Sequence, residues 1–189
     1  MRSKSVLTVR GHVRVVHIPV HYMSEGLDRP LAPSLVTDLC DRGHAFANVH
    51  ENIVTDSGLG VISRLVGFGK GFSFAGPYGV LDINSLEFSF MRLGSTIGPP
   101  TPAAADNDIS EDPPTYQINA LSVYYPSATS VTIAGVLPQA VSALNGTPIT
   151  EEGLFVANGA MLAHVTFPAE VKLPTHAMQF EHTFTFARE

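Results

Sequence analysis

Charge is scarce in this chain. Only 15% of its 189 residues are Asp, Glu, Lys or Arg, against a usual share of about 25%. So little charge does not describe a solitary, fully solvated surface, and much of it is expected to lie against a partner. Cysteine occurs once, at Cys40, which excludes an intrachain disulfide and is compatible with folding in a reducing cytosol. No run of about 18 apolar residues occurs, so no membrane-spanning helix and no membrane insertion are expected. The start, M-R-S-K-S-V-L-T-V-R, has no apolar segment before Arg10, and no signal peptide is expected.

Catalytic motifs are missing too. There is no G-x-S-x-G, and G-x-G-K-G at residues 67–71 lacks the spacing and the preceding strand of a phosphate loop. Glu151 and Glu152 are adjacent on a β-type run, so they point to opposite faces and cannot share a substrate. One of them is expected to accept backbone N–H groups instead. Cys40 near His44 has no third group to orient it and reads as a small apolar filler. Asp106, Asp108, Glu111 and Asp112 lack the twelve-residue calcium-loop pattern, and their stretch reads as a solvated loop. Eight histidines raise the question of a metal. His17 and His21 stand about 13 Å apart along a strand, and His44 and His50 meet a similar objection, so no metal and no cofactor are assigned. His182 reads as a hydrogen-bonded core histidine.

The net charge of −6 is unevenly spread. Residues 1–50 hold six basic and four acidic side chains, or +2; the remainder holds five basic and thirteen acidic, or −8. An acidic body argues against nucleic acid, which needs clustered Lys and Arg. The basic segment is expected to dock onto a neighbour, through Arg10, Arg14 and Arg29 as bidentate partners for carboxylates.

What the chain does have is strand periodicity. Residues 149–167 read as a hairpin turning at Asn158-Gly159. Residues 178–186 alternate with Met178, Phe180, His182, Phe184 and Phe186 on a buried face and Gln, Glu and Thr on a wet one. Leu154, Phe155, Leu162, Val165, Phe167, Phe180, Phe184 and Phe186 are the expected core. Further strands are read at 5–10 and 13–21, with Gly11 as a bend between them, and at 84–93 with Leu86, Phe88 and Phe90 inward. Others are read at 116–125 and 130–137. Residues 13–21 have no clean polar face, so that strand is expected to be covered on both sides. The best helix is 56–66, capped by Thr55 or Asp56; 34–40 is ambiguous between strand and helical turn.

Several stretches carry a family resemblance: E-E-G-L-F at 151–155, N-G-A-M-L-A-H-V-T-F at 158–167, F-P-A-E-V-K at 167–172, and the alternating strand ending in T-F. With N-I-V-T-D-S-G-L at 52–59, M-R-L-G-S at 91–95 and P-T-P-A-A-A-D at 100–106, this order resembles small virion proteins of tailed bacteriophages, of the tail-fibre and appendage type. The similarity runs over about residues 50–186. It departs at His182, where many relatives carry an aromatic side chain, often Trp, and it fades over the first 50 residues.

The expected architecture is mainly β: an antiparallel, jelly-roll-like β-sandwich with one short α-helix. Residues 1–50 would form N-terminal strands or an arm and 51–189 the sandwich body, within one domain. The resemblance implies a non-enzymatic structural component of the virion, a tail-fibre, collar or baseplate-appendage subunit acting in assembly or host attachment. Its partners would be other virion proteins, further copies of itself and a host surface receptor. The alternatives are a capsid decoration protein and a carbohydrate- or receptor-binding β-sandwich module.

Overall fold

The computed structural model describes residues 7–23, 29–59, 73–76, 79–82, 88–111 and 114–188. The helix expected at 56–66 lies outside them beyond Leu59, as do Leu86 and the glycine-rich stretch at 67–71.

The longest pairing joins the two ends of the described chain. Strand β1 (Leu7–Pro19) runs antiparallel to β11 (His176–Arg188) over their whole length. β-branched side chains at Val9, Val13 and Val15 suit the pleated surface, and they meet Phe186, His182 and Phe180 across the ladder. Beyond β11 lie β8 (Ser130–Leu137) and β7 (Leu121–Ser127). On the other side of β1 lies β2 (Phe46–Val54), which pairs with β1 through Asn52 and then with β10 (Met161–Val171) at Ile53 and Val54 only. From β10 the sheet continues through β9 (Pro148–Val156), β5 (Phe88–Gly94) and β6 (Tyr116–Ile118). A separate hairpin pairs β3 (Ser73–Gly76) with β4 (Gly79–Asp82).

The two edges of this nine-stranded sheet, β6 and β7, are joined by Asn119 and Ala120 alone, so they must lie close together. The two expected layers are therefore one sheet folded over, a flattened and nearly closed barrel whose two leaves share β2. Gly135 of β8 marks the closure. A Cβ there would stand within 3.0 Å of the Met91 side chain of β5, Ile118 of β6 and Leu121 of β7, so a side chain at this point would push the leaves' side chains aside.

The interior holds Val13, Val15, Met91, Leu93, Ile133, Leu137, Leu154, Leu162, Val165, Phe167, Phe180 and Phe184, all buried, with Phe186 packed against them. Phe155 is buried too, but on the outside of its leaf. There it stacks on Phe90 at 5.0 Å between centroids, with the Arg92 guanidinium over both rings. This inverts the expected phase of β5: Met91 and Leu93 point inward, and Phe90 does not. A register shift between Phe88 and Phe90 slips the alternation by one residue, and a one-residue slip exchanges the faces.

From Leu7 onward the N-terminal segment forms strands of the sheet and not an arm. β1 is an inner strand with neighbours on both edges, and the boundary near residue 50 falls inside β2. Nor is β1 interrupted at Gly11. The Asn52 side chain occupies the space where a Gly11 side chain would stand. Strands 5–10 and 13–21 are accordingly one strand, ending at Pro19.

The ambiguous stretch is helical: α1 spans Pro33–Asp41. Pro33 sits in the first turn, where a missing N–H costs nothing and its fixed φ favours the start. Gly43, with φ +70°, supplies the left-handed residue that ends the helix. Val36 and Leu39 face Val16, Ile18 and Ala45 in a second apolar cluster on the outside of the sheet. Cys40 borders that cluster, and burial pushes its thiol pKa up, which suits a filler and not a nucleophile. Helix α1 also explains why the second face of β11 is dry at Gln179 and Glu181, while Thr183 is half-buried and Thr185 stands exposed as expected. Gln179 and Glu181 are buried; Glu181 takes Arg14, and Gln179 exchanges two hydrogen bonds with the Leu31 backbone.

Candidate functional site

The polar residues gather in three places. The first lies along the inner side of β2, whose alternate residues Asn48, His50 and Asn52 follow the face of Val15, Val13 and Gly11. Because β2 pairs with β10 only at its last two residues, side chains bridge the rest. Glu170 of β10 accepts from Asn48 Nδ2 at 2.7 Å, lies 3.2 Å from His17 Nε2, and approaches His50 Nε2 at 3.5 Å. Burial lowers the His17 pKa, against the opposing pull of Glu170, so the ring is held neutral. One residue from each sequence pair of histidines, His17 and His50, thus meets at one carboxylate. Among the described residues, no three His, Cys, Asp or Glu side chains are placed to hold a metal ion.

Further along the same face, His182 is fully buried between Asn52 and Glu152. Asn52 Nδ2 donates to His182 Nδ1 at 3.1 Å. That leaves the ring proton on Nε2, which donates to Glu152. Where β1 and β2 part company beyond Asn52, a cleft of about 620 Å³ opens, lined by Val9, Arg10, His12, Glu51, Asn52 and Leu59 among others.

The second place is the outer face of β5, β9 and β10, covered by a strap, residues 95–111. Its acids were expected to be solvated; they are anchors instead. Asp106 accepts from His164 Nδ1 at 2.8 Å, Asp108 pairs with Arg92 at 2.5 Å, and Glu111 accepts from Ser95 N and from Thr115 Oγ1. Glu151, pointing outward from β9, accepts from Ser110 N at 3.0 Å, Ser110 Oγ at 2.7 Å and Glu111 N at 3.1 Å, and lies 3.4 Å from His164 Nε2. Ile109 is buried over Gly153, where a Cβ would clash with it. Burial alone would disfavour a charged His164, but hydrogen bonds to Glu151 and Asp106 outweigh it and raise its pKa. Burial is likewise overcome at Asp106, by the Ala103 amide and then His164, and at Glu151, by His164 and then Ser110, so both carboxyl pKa values are lowered. Glu151 therefore does capture backbone donors, from the strap and not from its own hairpin. Ser110 Oγ donates to a carboxylate and not to an imidazole, so no nucleophile–base pair exists there.

The third is Lys172, fully buried, whose Nζ donates to Asn145 Oδ1 at 2.7 Å and Gln139 O at 3.2 Å. Burial lowers its pKa, and its bonds tie the 138–147 loop to β10.

The three arginines expected to dock differ in their surroundings. Arg14 bonds Glu181 through Nε and NH2, at 2.7 and 2.6 Å, and reaches Thr37 and the Pro33 carbonyl of α1. Its work lies within the molecule. Arg10 is exposed on β1 at the cleft wall, and Arg29 is exposed ahead of α1. Glu170, Asn48 and Asn52 went unread in the sequence as site residues, and Asp106 was read only as part of a solvated loop. The pattern N-V-H-E-N at 48–52 carries the only signal, polar residues two apart on one face of a strand, where side chains can bridge to a neighbouring strand. No family model, no curated protein and no solved structure matches this chain.

Proposed function

We propose that this chain is a non-enzymatic structural subunit of a tailed bacteriophage particle, a tail-fibre, collar or baseplate-appendage protein that assembles with other virion proteins and with further copies of itself. The observation that supports this reading is the distribution of apolar and polar groups. Large apolar side chains stand in solvent: Ile97 at 94% exposure, Tyr125 at 78%, Val49 at 64% and Phe46 at 48%. Polar groups meanwhile turn inward, and His164 and His182 each have both ring nitrogens engaged by protein. Exposed apolar groups on a surface poor in charge favour assembly, while occupied imidazoles have no proton to exchange with a substrate. Antibody labelling of purified particles tests the reading. Signal on the tail is expected; signal on the head would favour capsid decoration, and protein left wholly in the unassembled fraction would overturn both.

A second reading, attachment through a bound carbohydrate or receptor, is favoured by the cleft at Arg10, His12, Glu51 and Asn52. Its volume is in the range of small-ligand sites. Glycan-array binding by the isolated protein is the measurement that supports it, and its loss in the Glu51→Ala variant would place the ligand there.

A further inference from the structure

Two uncharged surfaces lie on opposite leaves of the barrel and suit each other chemically. The first is the outer turn of the strap. From Leu93 to Ala105 the chain carries no charged residue, and within it Ile97, Pro100, Thr101 and Ala103 to Ala105 are exposed. Pro99, Pro100 and Pro102 fix their own φ, and Pro99 and Thr101 each precede a proline. Residues 99–102 are thereby biased to the polyproline II conformation. Such a segment carries unpaired backbone carbonyls and little conformational entropy to lose.

The second surface is a groove of about 600 Å³ between the start of α1 and the edge strand β7, walled by Pro33, Thr37, Tyr124, Tyr125 and Pro126. Tyr124 is held in place by its hydroxyl, which donates to Pro30 O at 3.0 Å, while Tyr125 stands in solvent. Aromatic and proline side chains flanking a shallow groove are what proline-rich segments dock against. None of the described residues lining it is charged. In a chain of net charge −6, neutral patches are where two copies can approach with least repulsion.

We propose that the Ile97–Pro102 turn of one copy docks into the Tyr124–Tyr125–Pro126 groove of the next. The strap covers the β5–β9–β10 leaf and the groove belongs to the α1-covered leaf, so one chain cannot satisfy its own groove. The contact is heterologous: it joins head to tail and builds a ring or an open row, not a two-fold dimer. This deepens the particle reading and rests on it for its biological setting, yet it is tested on the isolated protein, so labelling of particles and self-association can fail separately.

The experiment uses sedimentation velocity across micromolar concentrations with three proteins: the parent, Ile97→Asp and Tyr125→Ser. Both substitutions are at exposed sites and should leave the thermal midpoint unchanged; Pro100→Ser replaces Ile97→Asp if that variant does not fold. The parent is expected to form species larger than two copies, and each variant alone to weaken association by at least about tenfold, as a contact of hot-spot strength would. Mixed together, the two variants should form pairs and nothing larger, because each retains the half the other lacks. A synthetic peptide of residues 95–105 should bind Ile97→Asp, whose groove is intact, and not Tyr125→Ser. A parent that stays at about 20 kDa, variants that assemble like the parent, or a mixture that does not pair would each overturn the proposal.

Discussion

Helix α1 and the strap do the same job on opposite leaves of one barrel, and they are held by different physics. Each covers the outer face of a sheet that would otherwise meet solvent. Helix α1 satisfies its own backbone, so it needs only an apolar stripe, and Val36 and Leu39 provide it over Val16 and Ile18. The strap is rich in proline and forms neither helix nor ladder; it supplies Asp106, Asp108 and Glu111 for its own amides and takes a fourth carboxylate, Glu151, from β9. Its Ser95, Ala103, Ile109, Ser110 and Glu111 amides all donate to carboxylates instead. A buried N–H must have a partner, and a segment that cannot form a helix or join a ladder recruits charged side chains to supply one. The lesson is that acidic residues in a long loop are not by themselves a sign of solvation.

Both covers depend on the interior they share. Phe184→Asp would place an unpaired carboxylate among Phe180, Ile133 and Val131, and it is expected to abolish soluble folding. Soluble expression with a native-like circular dichroism spectrum would show that β11 is not oriented as described. The next largest effect separates the covers. Glu151→Ala removes the acceptor of two strap amides and strands His164 against Asp106, at a cost of about 3–5 kcal/mol. Limited proteolysis should then cut within 95–111 while α1 stays protected. A loss below about 1 kcal/mol in chemical denaturation, the range of exposed ion pairs, would reduce the strap to a surface contact.

The contrast also explains which parts of the molecule could be read in advance. The β9–β10 hairpin and the inward residues of β11 were legible because alternation and Asn158-Gly159 are local signals. Even there, only Gly159 among the described turn residues takes a positive φ, and Asn158 instead accepts from Ala160 N. Helix α1 was half legible: its apolar spacing is short, and only the sheet beneath it decides between helix and strand. The phase of β5 was lost to a register shift that no side chain in that strand announces. Residues 116–125 looked like one strand because Asn119 and Ala120 carry no strong break signal, yet the chain passes there from one sheet edge to the other. The polar anchors were illegible for a different reason. Glu170 meets Asn48 across 122 residues, and His164 meets Asp106 across 58, so nothing in either neighbourhood declares the pairing.

Leu39→Ala sharpens the comparison from the helical side. Its side chain is 5% exposed in the second cluster, and truncation should cost about 2–3 kcal/mol. Because the lost interaction is apolar burial, that cost should be the same in low and high salt and across neutral pH. A Leu39→Ala penalty that shrinks with added salt would mean that α1 is held by Arg14 and Glu181 more than by its stripe.

The smallest effect is a pH dependence confined to one cover. The raised pKa of His164 adds stability that is complete below the ordinary imidazole value and is lost as pH rises through the folded one. The lowered pKa values of Asp106 and Glu151 add stability present above the ordinary carboxylate range and lost as pH falls through their folded values. The latch is therefore strongest between about pH 4.5 and 6.5. The lowered pKa of buried His17 acts the other way, weakening the whole fold as pH falls below the ordinary imidazole value, so a global melt mixes the two. Hydrogen exchange separates them. Protection factors of the Ser110 and Glu111 amides, both donated to Glu151, should fall as pH rises past neutrality. The Arg42 amide, donated to Asp38 O at the end of α1, should hold its protection over the same range, since the nearby Arg42–Asp38 pair is exposed and contributes little. Equal loss at all three amides would mean that the strap opens only with the whole molecule, and the division of labour between the two covers would not survive.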